Sequence, residues 1–298
     1  MVENKFKGVF TAILTPFKND SNQSIDYEAL ENIIEFQIKK GVDGIVPCGT
    51  TGESPTLTPE EHKKLIEYVV KKVNKRVLVI AGTGSNCTRE AIELSKHAQE
   101  SGADACLVVN PYYNKPTQEG LFLHFKAIAN SVKIPIIVYN IKGRTGVNVE
   151  TQTLLRIACA CSNVLAVKEA SGDLNQIKEI ISKKPKGFSV LSGDDNITLE
   201  LIKSGGQGVI SVASNIIPEK IAKLTKLALE RNYAQAEILN KELAPFFEVE
   251  FIETNPIPVK FMAAQKGMCR EVYRLPLCEL STEHKQKILQ VMKQLKLI

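Results

Sequence analysis

The sequence predicts an α/β fold, a closed (β/α)8 or TIM barrel with a C-terminal helical appendix. Apolar runs of strand length alternate with amphipathic runs of helical length along most of the chain. Eight such units recur at a period of about thirty residues, enough for a parallel sheet to close on itself. Beyond residue 231 the alternation stops and only helical patterns remain. An open, doubly wound sheet is the alternative that the same alternation allows.

Taken in order, the strand-like runs cover 8–14, 44–47, 77–81, 105–109, 136–140, 165–169, 189–192 and 208–211. The helical patterns between and after them cover 26–40, 59–73, 89–101, 118–131, 150–161, 174–182, 197–203 and 218–230. Alternation of this kind implies parallel strands joined by right-handed crossovers. Thr58, followed by Pro59 and Glu61, reads as a capping box with proline at the first helical position. Thr88 and Thr117 are placed to cap the next two helices, and Gly41 and Gly102 stand where helices should stop. The last three helical patterns cover 233–251, 259–266 and 282–297. No Gly/Ser or proline linker precedes them, so residues 1–231 read as the catalytic barrel and 232–298 as helices packed on it.

The 298 residues suffice for a full core, and 44% hydrophobic with 24% charged residues is ordinary for a soluble globular protein. The formal charge of +5 suits anionic small molecules. It is too small and too evenly spread for a nucleic-acid surface. The apolar stretch GVFTAIL near the N-terminus is too short for a signal peptide, and no segment reaches membrane-spanning length. The seven cysteines are odd in number and form no CxxC pair, which argues for free thiols in a reducing cytoplasm. Cys48 reads as a small buried hydrophobe, and Cys159 and Cys161 point different ways from one helix. The four histidines never fall at ligand spacing, so no metal is expected. Gly82-Thr83-Gly84-Ser85 lacks the third glycine of a dinucleotide loop, and Gly205-Gly206-Gln207-Gly208 precedes a strand instead of following it. No nucleotide cofactor is expected.

In a barrel of this kind the chemistry sits at the C-terminal strand ends. Strand six ends in LAVKEASGD, which places Lys168 where a buried strand meets a loop. Apolar surroundings favour a neutral amine, and a neutral amine can attack a ketone to form a Schiff base. Reaching neutrality requires about three pK units, or roughly 4 kcal/mol. Lysines at strand ends are more often solvated or salt-bridged, so the other strand ends have to support the reading. Strand two ends in CGTTGES, whose turn at Thr50 and Thr51 could hold a carboxylate. Strand four ends in Asn110-Pro111-Tyr112-Tyr113, and strand five in Tyr139-Asn140 with Arg144 following. Arg144 is a fixed cation able to fork onto a carboxylate. Strand seven ends in Ser192-Gly193-Asp194-Asp195 and strand eight in Val209-Ile210-Ser211. A lysine, a phenol able to move a proton, an anion cradle and a separate arginine together describe Schiff-base chemistry on a 2-oxo acid with a second anionic partner.

The motifs GTTGES, AGTGSN, NPYYNKPTQEG, VKEASG, LSGDD, GVISVASN and NPIPVK resemble, in order, those of the dihydrodipicolinate (4-hydroxy-tetrahydrodipicolinate) synthase family of pyruvate-dependent aldolases. The resemblance covers nearly the whole chain. It implies a cytoplasmic, homotetrameric barrel that condenses pyruvate with aspartate 4-semialdehyde on the route to diaminopimelate and lysine. It also implies that Lys168 forms the Schiff base, with no other cofactor. Thr50, Tyr139 and Tyr113 would form a proton relay, with Tyr113 serving the neighbouring subunit. Thr51 would hold the pyruvate carboxylate, Arg144 the carboxylate of the semialdehyde, and Gly193 and Ile210 would line the pocket with backbone atoms. An allosteric lysine site is implied at Ser54, His62, Asn86, Glu90 and Tyr112, although Glu90 in a first helical turn has its own electrostatic reason to be there. The chain departs from many relatives at Lys142, where a loop proline is usual, and at Pro55 and Pro59, which vary among relatives. Two other functions fit a barrel with these residues: a lyase acting on a 2-keto sugar acid, and a catalytically silent barrel that senses lysine.

Overall fold

The strands are short, apolar and buried, and each pairs in parallel with its sequence neighbours. In the computed structural model, which describes residues 5–298, they close into one barrel in the order β1 to β8. The strands are β1 Gly8–Ala12, β2 Gly44–Val46, β3 Leu78–Gly82, β4 Ala105–Val109, β5 Ile136–Asn140, β6 Val164–Glu169, β7 Ser189–Ser192 and β8 Gly208–Ser211. Closure is direct, because Gly8 to Thr11 of β1 lie in register with Gly208 to Ser211 of β8. An open sheet is therefore excluded.

The barrel is ringed by α1 Tyr27–Lys39, α2 Pro59–Val73, α3 Thr88–Glu100, α4 Gln118–Ser131, the single turn α5 Lys142–Thr145, α6 Thr151–Ala160, α7 Leu174–Lys183, α8 Thr198–Lys203 and α9 Pro218–Leu229. The capping box at Thr58 is formed on both sides, and Thr117 Oγ1 accepts from the Gly120 N–H. Gly41 and Gly102 adopt φ of +84° and +88° after α1 and α3, a conformation without penalty for glycine. Thr88 departs from its expected role. It lies inside α3, with Cys87 at the N-cap, and its hydroxyl bonds to His124 Nδ1 instead. Helix α5 also lay beyond the reach of periodicity, since four residues cannot display a helical repeat.

Side chains alternate between two apolar layers because successive strand residues point to opposite faces. Phe10, Ile80, Leu107, Ile137, Ala166 and Leu191 fill the barrel interior, whereas Val9, Val79, Val138, Val167 and Val190 pack outward against the helices. The chain ends in α10 Tyr233–Val249, α11 Ile257–Gln265 and α12 Thr282–Gln294. Helix α10 packs on α8, α9 and α12, and α11 packs on α12 and on the turn that follows β8. Among the described residues, no helix is long and apolar enough to cross a membrane.

Candidate active site

Strand parity places Lys168 on the inward face of β6, two residues beyond Ala166 of the barrel core. Its Cα partner across the ladder is Tyr139 of β5, so both side chains rise from neighbouring strands into the barrel mouth. Lys168 is only 5% exposed, and its Nζ lies 4.3 Å from the centre of the Tyr139 ring. An amine held over an aromatic face is restrained without being tied to a carboxylate.

Outward of Lys168 a polar network locks the ends of β4, β5 and β6. The Glu169 carboxylate accepts from the Ser171 N–H at 2.7 Å and from Asn140 Nδ2 at 3.1 Å. Asn140 Oδ1 in turn accepts from Asn110 Nδ2 at 2.9 Å. Burial pushes the Glu169 carboxyl upward while these donors pull it back. On the other side, Asp195 accepts from Ser211 Oγ at 2.6 Å and from the Val212 and Ala213 N–H groups at 2.8 and 3.0 Å. That carboxylate ties the end of β7 to the end of β8.

Between these braces lies a narrow cavity of about 30 Å³, bordered by Thr50, Thr51, Tyr139, Arg144, Lys168 and Gly193. Asp194, Val212, Phe251 and Asn255 are also part of its wall. Burial raises the Asp194 carboxyl, opposed by the positive charges of Lys168 and Arg144. Arg144 sits exposed on α5 and donates from Nη2 to the Asn255 carbonyl at 3.0 Å. Asn255 also donates from Nδ2 to Thr51 Oγ1 at 3.0 Å. A hydroxyl whose oxygen receives that bond keeps its own proton for a ligand acceptor.

Six of the eight residues expected at the catalytic and substrate site thus border one cavity. Ile210 lies in the barrel interior, packed in the cluster that contains Tyr139 and Leu191, and Val212 borders the cavity in its place. Tyr113 is 88% exposed at φ +72° and lies outside the cavity of its own chain. Thr50, Ile141 and Arg144 also border a larger groove of about 470 Å³. Ser54, His62, Glu90 and Tyr112 line this groove, whereas Asn86 is absent from its wall and accepts from Asn114 Nδ2 through its carbonyl. Burial lowers His62 to about 4, and Glu90 accepts a short hydrogen bond from Ser85.

The sequence reading gave no role to Asn255, nor to the buried pair of Glu53 and Lys260. Lys260 did carry a signal, as the lone charge in the apolar run IPVKFMAA, where a charge must find a counter-charge. Among the described residues, no three His, Cys, Asp or Glu side chains converge to hold a metal ion.

Comparison with known proteins shows the family. Residues 5–295 match the model of the dihydrodipicolinate synthetase family. The chain belongs to that family. It is 50% identical over 289 residues to the 4-hydroxy-tetrahydrodipicolinate synthase of Aquifex aeolicus, covering 97% of each chain. The crystal structure of the Aquifex enzyme superposes with a TM-score of 0.96, covering 98% of this chain and 99% of the other. A chloride-inhibited family member from Acinetobacter baumannii, solved in complex with pyruvate, is 42% identical with a TM-score of 0.95 and covers 98% and 99% of the two chains. A lysine-bound member from Cyanidioschyzon merolae is 38% identical with a TM-score of 0.96 and covers 99% and 100%.

Proposed function

We infer that the protein condenses pyruvate with L-aspartate 4-semialdehyde to give 4-hydroxy-tetrahydrodipicolinate, on the diaminopimelate route to lysine. The observation that carries this reading is Lys168, buried at the mouth of a closed barrel against Tyr139, in one cavity with Thr50, Thr51 and Arg144. The Lys168 amine attacks the pyruvate ketone, and loss of water gives an imine. Loss of a methyl proton gives the enamine, whose carbon attacks the aldehyde of the second substrate. The amino group of that substrate then adds to the imine carbon, closes the ring and releases the lysine. Because the imine is the electron sink, the scheme asks for no metal or added cofactor.

Tyr139 and Thr50 move protons in this scheme, Thr51 donates to the pyruvate carboxylate, and Arg144 receives the carboxylate of the semialdehyde. Gly193 leaves room beside the lysine, and Ile210 supports the floor from within the barrel. Tyr113 points out of its own chain, which supports its serving a neighbouring subunit in a homotetramer. The groove at Ser54, His62, Glu90 and Tyr112 supports lysine as an effector.

A turnover assay with both substrates tests the reading. Product formation that is abolished by Lys168→Ala supports it. Turnover of a 2-keto sugar acid, without reaction of pyruvate and the semialdehyde, would replace it with the lyase alternative.

A further inference from the structure

Glu53 and Lys260 meet in the interior between the β2–α2 loop and α11, with both side chains at 0% exposure. Lys260 Nζ donates to Glu53 Oε1 in a short bond and to the Val272 carbonyl at 3.2 Å. It also lies 4.2 Å from the centre of the Phe17 ring, which the Arg274 guanidinium approaches to 4.2 Å as well. Burial pushes the Glu53 carboxyl up and the Lys260 ammonium down, and each charge opposes the shift of the other. Stability is a poor reason for such a pair, since apolar residues of similar volume often do as well or better.

Geometry supplies a better reason. Glu53 adopts φ +53° and ψ +37°, uncommon for a residue with a side chain. Its N–H donates to the Thr50 carbonyl at 3.0 Å, and its carbonyl accepts from the Thr56 N–H at 2.9 Å. Holding the Glu53 carboxylate therefore holds the turn that presents Thr50 and Thr51. From the other side, the Lys260 N–H bonds to the Pro256 carbonyl at 2.9 Å, one residue after Asn255. Asn255 touches both Thr51 and Arg144. The contacts form a closed circuit from Glu53 through Lys260 and Asn255 to Thr51 and back along the loop.

We propose that the Glu53–Lys260 pair is a positioning device that fixes Thr51 and Arg144 relative to each other, and so sets the binding geometry for both carboxylate substrates. The proposal rests on the functional reading above. Two double variants separate positioning from folding: Glu53→Gln with Lys260→Met, and Glu53→Gln with Lys260→Gln. Both remove the charges while keeping the volume. The expected result is a melting temperature within about 3 °C of wild type. KM for pyruvate and for the semialdehyde should each rise about tenfold, while kcat changes less than about threefold. Lys168 should still be fully trapped by borohydride at saturating pyruvate. Wild-type KM values in a folded double variant, or loss of the fold in both, would overturn the proposal. Absence of a pyruvate adduct on wild-type protein would instead overturn the functional reading, so the two failures are distinguishable.

Discussion

Gly193 stands where a single methyl group would collide with Ala170 and press on Lys168, the amine proposed to attack pyruvate. A Cβ at this position would lie 2.5 Å from Ala170 Cβ, 3.0 Å from Lys168 Cε and 3.2 Å from the Glu169 carbonyl oxygen. Carbon atoms pack best at about 3.5–4.0 Å, so Gly193→Ala requires shifts of roughly 1 Å from Ala170 and roughly 0.5 Å from the lysine stem. The backbone cannot simply retreat, because the Gly193 N–H is bonded to the Glu169 carbonyl at 2.8 Å. Overpacking of this size costs about 1–3 kcal/mol of stability. A shift of roughly 0.5 Å is about half the misplacement that costs on the order of a hundredfold, so a loss of about tenfold in rate is expected. The assay is kcat/KM for pyruvate, alongside the rate of borohydride trapping at low pyruvate, normalised to folded protein. Gly44→Ala is the control: its Cβ would meet Phe10 Cδ1 at 2.6 Å and the Leu78 carbonyl oxygen at 2.8 Å, a clash at least as severe that does not involve Lys168. It should lose comparable stability and keep kcat/KM. A Gly193→Ala enzyme within about twofold of wild type would refute the claim that the gap beside Lys168 is needed for attack.

Arg144→Ala should raise KM for the semialdehyde strongly while leaving the pyruvate adduct intact; a parallel loss of adduct formation would contradict the separate roles given to Arg144 and Thr51. Glu250 is fully buried and neither carboxyl oxygen has a partner, and burial beside Asp195 and Asp194 holds it well above the usual carboxyl range. Glu250→Leu should therefore stabilise the protein by about 1–3 kcal/mol at pH 7. The unfolded chain ionises first, so wild-type stability falls as pH rises past the unfolded carboxyl value; the gain should shrink toward pH 4 to what the unpaired neutral carboxyl costs, and a pH-independent gain in denaturant melts would contradict this. His62 and His124 run the other way, both lowered to about 4 by burial. Neutral in the fold, they oppose folding as pH falls from about 6.5 toward 4, by about 3 kcal/mol each as an order of magnitude. His124→Gln should flatten that acid limb in stability measurements, and an unchanged limb would count against it.

Most of the fold was legible because burial of both strand faces leaves continuous apolar runs, and β4, β5, β7 and β8 fall at their expected bounds. The strand-end rule then carried Lys168, Tyr139, Thr50 and Thr51 to one place, since each follows directly from strand parity or a short turn. Asn255 was beyond that logic. It reaches Thr51 across 204 positions of sequence from a segment outside the strand-helix repeat, and no local pattern encodes such a contact. Lys260 was legible as a lone charge in an apolar run that needs a counter-charge, but its partner Glu53, 207 positions away, was hidden for the same reason. Ile210 illustrates the opposite limit. Its backbone was expected to line the pocket, but Val212, two residues further along, borders the cavity.

The central claim is that Lys168 is the amine that captures pyruvate. Borohydride reduction in the presence of pyruvate, followed by peptide mass analysis, tests it most directly. The account predicts one reduced pyruvate adduct, on the peptide bearing Lys168, and none in Lys168→Ala. An adduct confined to another lysine, or none on active wild-type enzyme, would contradict it.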